Sequence, residues 1–453
     1  MTETRNKNEI ENLAAFALEK ALEGGASDAD VLYSEGAGTG LSMKDGEVEE
    51  SVAGSTAGIG VRTIMADGRQ GIAFGNRITR DAVRELVEWS LSNCRNAEPE
   101  DGVMLYEGSL VEDPEISQND SRISEITQKE RYQFCEEMTR LAAAADKRVV
   151  SVRSAAWHDG SGTSYYRSTK GAFGWERGSS ASCGVSVLVR DGAYTELGGY
   201  GFESRRFDEL DIVKTAALAV SKTTALLGAK SIATGTYDAV IEADACASLV
   251  DAIADLFCAP EIHKGRSMMA GMLGESVASS CVTLVDDGRV PWKAGSSSWD
   301  AEGVPTGRTV LIDGGVANAY LYNLQYAYKD GVQSTGNACR GLSSLPDVGT
   351  TNAILLPGDE TPESLIGRVK KGFYITEFMG LHTIDPVSGD FSIGAKGLLI
   401  ERGALARPVS GVTIASNLKD FLRKIVAVGS DLQYFGAVAA PTLVVEDIVL
   451  AGE

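Results

Sequence analysis

Residues 242–257, EADACASLVDAIADLF, are where this sequence comes nearest to chemistry. Wound as a helix at about 100° per residue, they place Asp244, Ser248, Asp251 and Asp255 on one narrow face. Leu249, Ile253, Leu256 and Phe257 fall on the other. Carboxylates one turn apart can hold a hard cation or divide acid and base roles. Asp251 and Asp255 are therefore the candidate catalytic groups, with Asp244 at the start of the same stripe. A water-facing polar stripe over an apolar back has the same pattern, and spacing alone leaves both readings open.

Other chemistry-bearing patterns are sparse. The three histidines, His158, His263 and His382, lie too far apart in sequence for HExxH or its relatives. No P-loop or GxSxG occurs, and Gly58-Ile59-Gly60 fails as a dinucleotide fingerprint because residue 63 is Thr in a hairpin context. Ser416-Asn417-Leu418-Lys419 matches the serine/lysine pattern SxxK, but its SDN and KTG companions are missing and Ser416 stands where a helix N-cap belongs.

The elements that must carry these residues are strongly punctuated. Helices are expected over about 8–23, 79–93 with Thr79 as N-cap, 125–145, 208–227, 242–257 and 416–428. The dipeptides Asp45-Gly46, Asp67-Gly68, Asp159-Gly160, Lys170-Gly171 and Asp191-Gly192 predict antiparallel hairpins between them. The segment 227–237, small, polar and glycine-containing, reads as a linker. The expectation is an α+β protein of two domains. Residues 1–230 form an N-terminal mixed domain of hairpins and helices, and 236–453 a C-terminal antiparallel, β-rich, barrel-like domain carrying the acidic helix.

Composition narrows the function classes. With 42 Lys plus Arg against 63 Asp plus Glu, the net charge of −21 and the absence of a basic cluster argue against direct nucleic-acid binding. There is no apolar run long enough for a membrane span and no secretory h-region. Seven cysteines without a CxxC pair fit reduced thiols, and the expected compartment is the cytoplasm.

The run FYITEFMGLHTIDPVSGDFSIGAKGLLIERGALARPVSGVTIASNLKDFL, with QSTGNACRG at 333–341 and LSMKDGEVEES near the N-terminus, resembles the TldD/PmbA family, historically called modulators of DNA gyrase. Catalytic members of that family are zinc metallopeptidases. An HExxxH helix supplies two imidazole ligands and a glutamate base, and a later cysteine is the third ligand. The resemblance places Val250 and Asp255 at the two histidine positions and Asp251 at the glutamate position. No histidine lies between 159 and 262, and no cysteine follows Cys339. What it implies is a PmbA (TldE-like) member with no metal or cofactor of its own, zinc being expected only in a TldD-type catalytic partner. The partners implied are that subunit in a heterodimer, or a second copy in a homodimer, together with a peptide substrate. Asp244, Asp251, Asp255, His263 and Arg266 are the candidates for lining a substrate groove. His263, Arg266 and Ser267 stand where the family has an R-x-S segment, and Arg266 could steer a peptide carboxylate or form an ion pair. Two other readings remain: a regulatory protein binding a macromolecular partner such as gyrase, and a divalent-metal enzyme using Asp244, Asp251 and Asp255.

Overall fold

The computed structural model describes residues 6–116 and 118–452. Strands β1 (Asp28–Lys44), β2 (Glu47–Ile64) and β3 (Gln70–Gly75) join β4 (Val149–Ser168), β5 (Phe173–Asp191) and β6 (Tyr194–Ser204) in one antiparallel sheet of order β3-β2-β1-β4-β5-β6. The β1–β2 turn is Asp45-Gly46, with φ +48° and +88°, the left-handed pair that matches strand twist. Turns at Asp67-Gly68, Lys170-Gly171 and Asp191-Gly192 also form. Asp159-Gly160 does not turn and lies inside β4. Its Asp159 is used elsewhere: it accepts from Arg131 at 2.5 and 2.7 Å and from the Trp157 indole at 3.1 Å, while Gly160 sits in register with Gly38 of β1.

Two helix pairs cover one face of this sheet. Helices α1 (Lys7–Glu23) and α2 (Arg80–Asn96) close over Val31, Tyr33, Ile59 and Val61. After the short turn α3 (Ser121–Ser124), α4 (Gln128–Ala145) and α5 (Ile212–Ala225) close over Leu41, Trp157, Val185 and Val187. The caps are chemical. Thr79 accepts from the Ala82 amide, and Thr127 forms a reciprocal capping box with Glu130.

The opposite face meets the second half of the chain. Strand β7 (Gly235–Ile241) is flanked by Leu443–Ala451, antiparallel, and Lys371–Met379, parallel. Asp390–Glu401 and Ala404–Asn417 continue the sheet, and Thr413 and Ile414 pair back with Ala451 and Leu450, which closes a five-stranded barrel. The parallel pair follows from its long crossover through residues 242–370. A second sheet is built around Leu284–Asp287, Arg308–Asp313 and Ala353–Leu355. The helix expected at 416–428 is shorter, Leu418–Arg423, and Ile425–Val428 is a strand. Ile425, Ala427 and Val428 are claimed by pairing with Val445, Val444 and Leu443. Asn417, not Ser416, caps that helix, accepting from the Lys419 amide at 3.0 Å.

A buried ion cluster joins the halves. Asp30 of β1 accepts from Arg62 of β2 (2.9 and 2.5 Å) and from Arg340 (2.8 Å), and Glu302 lies 3.7 Å from Arg62. All four side chains are at most 3 % exposed. Nearby, a Cβ on Gly60 would run into the Leu342 carbonyl oxygen, so only glycine admits this approach. Among the described residues no helix is long and apolar enough to cross a membrane.

Candidate functional site

Helix α6 (Ala243–Asp255) follows β7, and eight of its 13 residues are buried. Leu249, Val250 and Ile253 enter a core shared with Leu284 and Ile312 of the second sheet and Leu443 of the barrel. With Cys246 and others they line a wholly apolar cavity of about 20 Å³. Ser248, Asp251 and Asp255 are left on the exposed side, as the 3.6-residue period demands.

The acidic stripe is not uniform. Asp244 and Glu242 both take Lys222 of α5 at 3.1 Å, so this end of the stripe is part of a joint between the halves. Burial and then the Lys222 charge act oppositely on Glu242, and burial prevails, raising its carboxyl above the usual range. Asp251 and Asp255 remain one turn apart, and among the described residues no Lys, Arg or His forms an ion pair with either. Partial desolvation, and then the like charge of Asp251, raise Asp255 above the ordinary carboxylate range.

Beyond α6 the chain makes a short helix, α7 (Ala259–His263). His263 donates through Nε2 to the Asp330 carboxylate at 2.7 Å and meets Tyr326 edge-on at 5.1 Å. Asp330 also accepts from Tyr322 at 2.9 Å. His263 is thus held by α8 (Leu324–Asp330) away from the α6 carboxylates. Arg266 is exposed and makes no ion pair among the described residues, so its charge is available to solvent. Ser267 is buried, donating to the Leu256 carbonyl at 2.6 Å and so fixing the turn after α6.

Two thiols share the neighbourhood of Asp255. Burial first, then Asp255 and other carboxylates, holds both the Cys258 and Cys339 thiols above the ordinary range. Among the described residues neither thiol has a cationic neighbour that would favour the thiolate. Spacing gave no signal for them, because 81 residues separate the two. The loop 333–341 that carries Cys339 is pinned from behind: Asn337 donates to Asp286 at 2.7 Å, and the Ala338 amide to Asp300 at 2.9 Å.

The donor set does not fit the zinc that catalytic members of the family hold. Val250 is a buried hydrocarbon and His263 is bound to Asp330, which leaves the carboxylates of Asp251 and Asp255. Among the described residues no group of three or more His, Cys, Asp or Glu is placed to hold a metal ion. A hollow of about 700 Å³, lined by Glu35, Ser55, Asn119, Thr163 and Arg177 among others, opens on the first sheet instead of over α6.

Comparison with known proteins meets this geometry directly. Family models described as PmbA/TldA metallopeptidase domain 1, central domain and C-terminal domain match residues 29–94, 121–227 and 234–452. The chain belongs to the PmbA/TldD metallopeptidase family. Metalloprotease PmbA of Escherichia coli O157:H7 is 25 % identical over 455 residues, covering 98 % of this chain and 96 % of that protein. A metalloprotease of Methanothermobacter thermautotrophicus is 26 % identical, covering 89 % and 88 %. A solved Thermotoga maritima protein described as a modulator of a DNA gyrase superposes with a TM-score of 0.89 at 26 % identity, covering 98 % of this chain and all of that one. TldE of Thermococcus kodakarensis shares the fold, with a TM-score of 0.87 at 22 % identity and 98 % and 100 % coverage. The family's C-terminal model begins at residue 234, so the barrel and α6 lie within it.

Proposed function

We propose that this chain is the non-catalytic member of a peptide-processing assembly of the PmbA/TldD family. It keeps the position of the zinc helix without the zinc chemistry and works beside a sibling that carries HExxxH and the late cysteine. The observation that carries this reading is Val250. At the first imidazole position stands a side chain 4 % exposed, lining an apolar cavity. An imidazole there would face an apolar cavity with no polar partner in its lining.

What this chain's own residues can do is bind and orient. Asp251, Asp255 and the free Arg266 offer charges of both signs to an extended peptide. The β-rich half offers backbone for sequence-tolerant pairing. The second reading, an enzyme using three carboxylates and a divalent cation, loses a member, because Lys222 occupies Asp244.

The test is hydrolysis of unfolded peptide by the purified chain with added zinc, alone and after co-expression with a sibling bearing HExxxH. No turnover alone and turnover in the complex supports the proposal. Robust hydrolysis by the chain alone sinks it.

A further inference from the structure

Between its two helix pairs the first sheet carries a gap, and opposite charges stand in it. Tyr33, Tyr165 and Trp175 lie side by side across β1, β4 and β5 beneath α1 and α2. Leu41, Trp157 and Cys183 form a matching row beneath α4 and α5. Two residues on from the first row, on the same face, come Glu35, Thr163 and Arg177. They floor the hollow of about 700 Å³, a volume within the range of small-molecule sites. Asn119 and Ser121, from the segment that crosses β4 and β5, line one side of it. Ser55 of β2 and Asn76, just past β3, line the other.

Glu35 and Arg177 are the only charged side chains in that lining among the described residues. Glu35 accepts from the Tyr33 hydroxyl at 2.8 Å and meets no cation among the described residues. The Arg177 guanidinium there makes neither an ion pair nor a hydrogen bond. Thr163 stands between the two, and two strand spacings set their Cα atoms about 10 Å apart. A carboxylate and a guanidinium left to solvent at opposite ends of one polar hollow select a ligand that carries both charges itself. An ammonium suits Glu35, and a carboxylate takes the parallel N–H groups of Arg177. Two extended residues span about 7 Å, so a dipeptide reaches both ends with a hydrogen bond at each. A free amino acid has the same two charges, but on either side of a single carbon.

We propose that this hollow binds a zwitterionic dipeptide, its ammonium on Glu35 and its carboxylate on Arg177, with the Thr163 hydroxyl beneath the central amide. Neither α6 nor a metal takes part, so the site is separate from the proposed role beside a catalytic sibling.

The test is calorimetric titration of the full chain with alanylalanine, N-acetyl-alanylalanine, alanylalanine amide and free alanine, repeated on Glu35→Gln and Arg177→Gln. Arg177 is exposed and Glu35 half-buried, and glutamine at 35 still accepts from Tyr33, so neither change disturbs a core. Alanylalanine is expected to saturate wild type with a Kd below about 1 mM. Acetylation, amidation or either substitution should weaken it about tenfold or more. Acetylation should cost Glu35→Gln nothing further, and amidation should cost Arg177→Gln nothing further. Absence of saturation, blocked peptides that bind as well as the free one, variants that bind as wild type does, strict additivity, or alanine binding more tightly than alanylalanine overturns the proposal. Failure of a sibling-bearing complex to hydrolyse peptide would overturn the reading above and leave this site untouched.

Discussion

Replacing Arg340 by methionine removes one charge from the buried cluster while keeping most of the side chain's volume. In the native cluster Arg62 and Arg340 balance Asp30 and Glu302, and Asp30 takes both guanidiniums at 2.5 to 2.9 Å. After Arg340→Met, two buried carboxylates share Arg62. Stranding a charge in this way costs about 3–5 kcal/mol. Spread over a cooperative unit the size of the C-terminal half, that is a fall in Tm of about 10 °C. Calorimetry and urea titration measure it. The sharper measurement is the cycle with Asp30→Asn, because the double variant leaves Arg62 opposite Glu302 and restores neutrality. The two changes together should cost less than their sum by about 1–3 kcal/mol. A single-variant loss under about 1 kcal/mol, or strict additivity, would refute the view that these halves are joined through one coupled charge network.

Four further outcomes are expected. Asp300 is pushed up to about 7 and Asp286 to about 6, each by burial first. Their folded-state values lie above those of the unfolded chain, so the native state binds more protons between pH 4 and 7, and stability should rise as pH falls from 8 towards 5. Asp300→Asn should flatten that rise in urea titrations. Asp251→Asn should lower the titration midpoint of Asp255, followed by carboxyl carbon NMR, because a like charge is removed; no movement would mean burial alone sets it. Val250→His with Asp255→His should cost about 1–3 kcal/mol of stability from an unpartnered imidazole in the apolar cavity and should gain no tight zinc site, as calorimetric titration with zinc will show. Thr127→Ala, which breaks the capping box, should cost about 1 kcal/mol in urea titration.

Much of this architecture could be read from local chemistry. The Asp45-Gly46 turn, the Thr79 cap and the apolar back of α6 each follow from a few adjacent residues, and each is where spacing put it. The failures share a cause. Asp159-Gly160 has a turn's composition, but Arg131 and the Trp157 indole bind the aspartate inside a strand. Residues 425–428 have a helix's continuity, but the strand at 443–451 pairs with them. The site shows the same division. The exposure of Asp251 and Asp255 was legible, whereas the diversion of Asp244 to Lys222 and of His263 to Asp330 depends on residues 22 and 67 positions away. The expectation that α6 stands at the place of a zinc helix came from the resemblance to the family and from no spacing.

The barrel closure bears on how the chain is made. Strand β7, emerging at residue 235, lies between Lys371–Met379 and Leu443–Ala451, so neither neighbour exists when it leaves the ribosome. At typical synthesis rates of about 5–20 residues per second, it waits on the order of ten seconds for the first and longer for the second. Over that interval the apolar faces of β7 and α6 have no native core to enter. The first sheet, complete by residue 204, can already be folded and serve as the wall against which the later half assembles. Translation order thus makes the C-terminal half the part most dependent on chaperones. Losing the strand at 443–451 would leave its whole barrel unable to close, a penalty far beyond the nine residues removed.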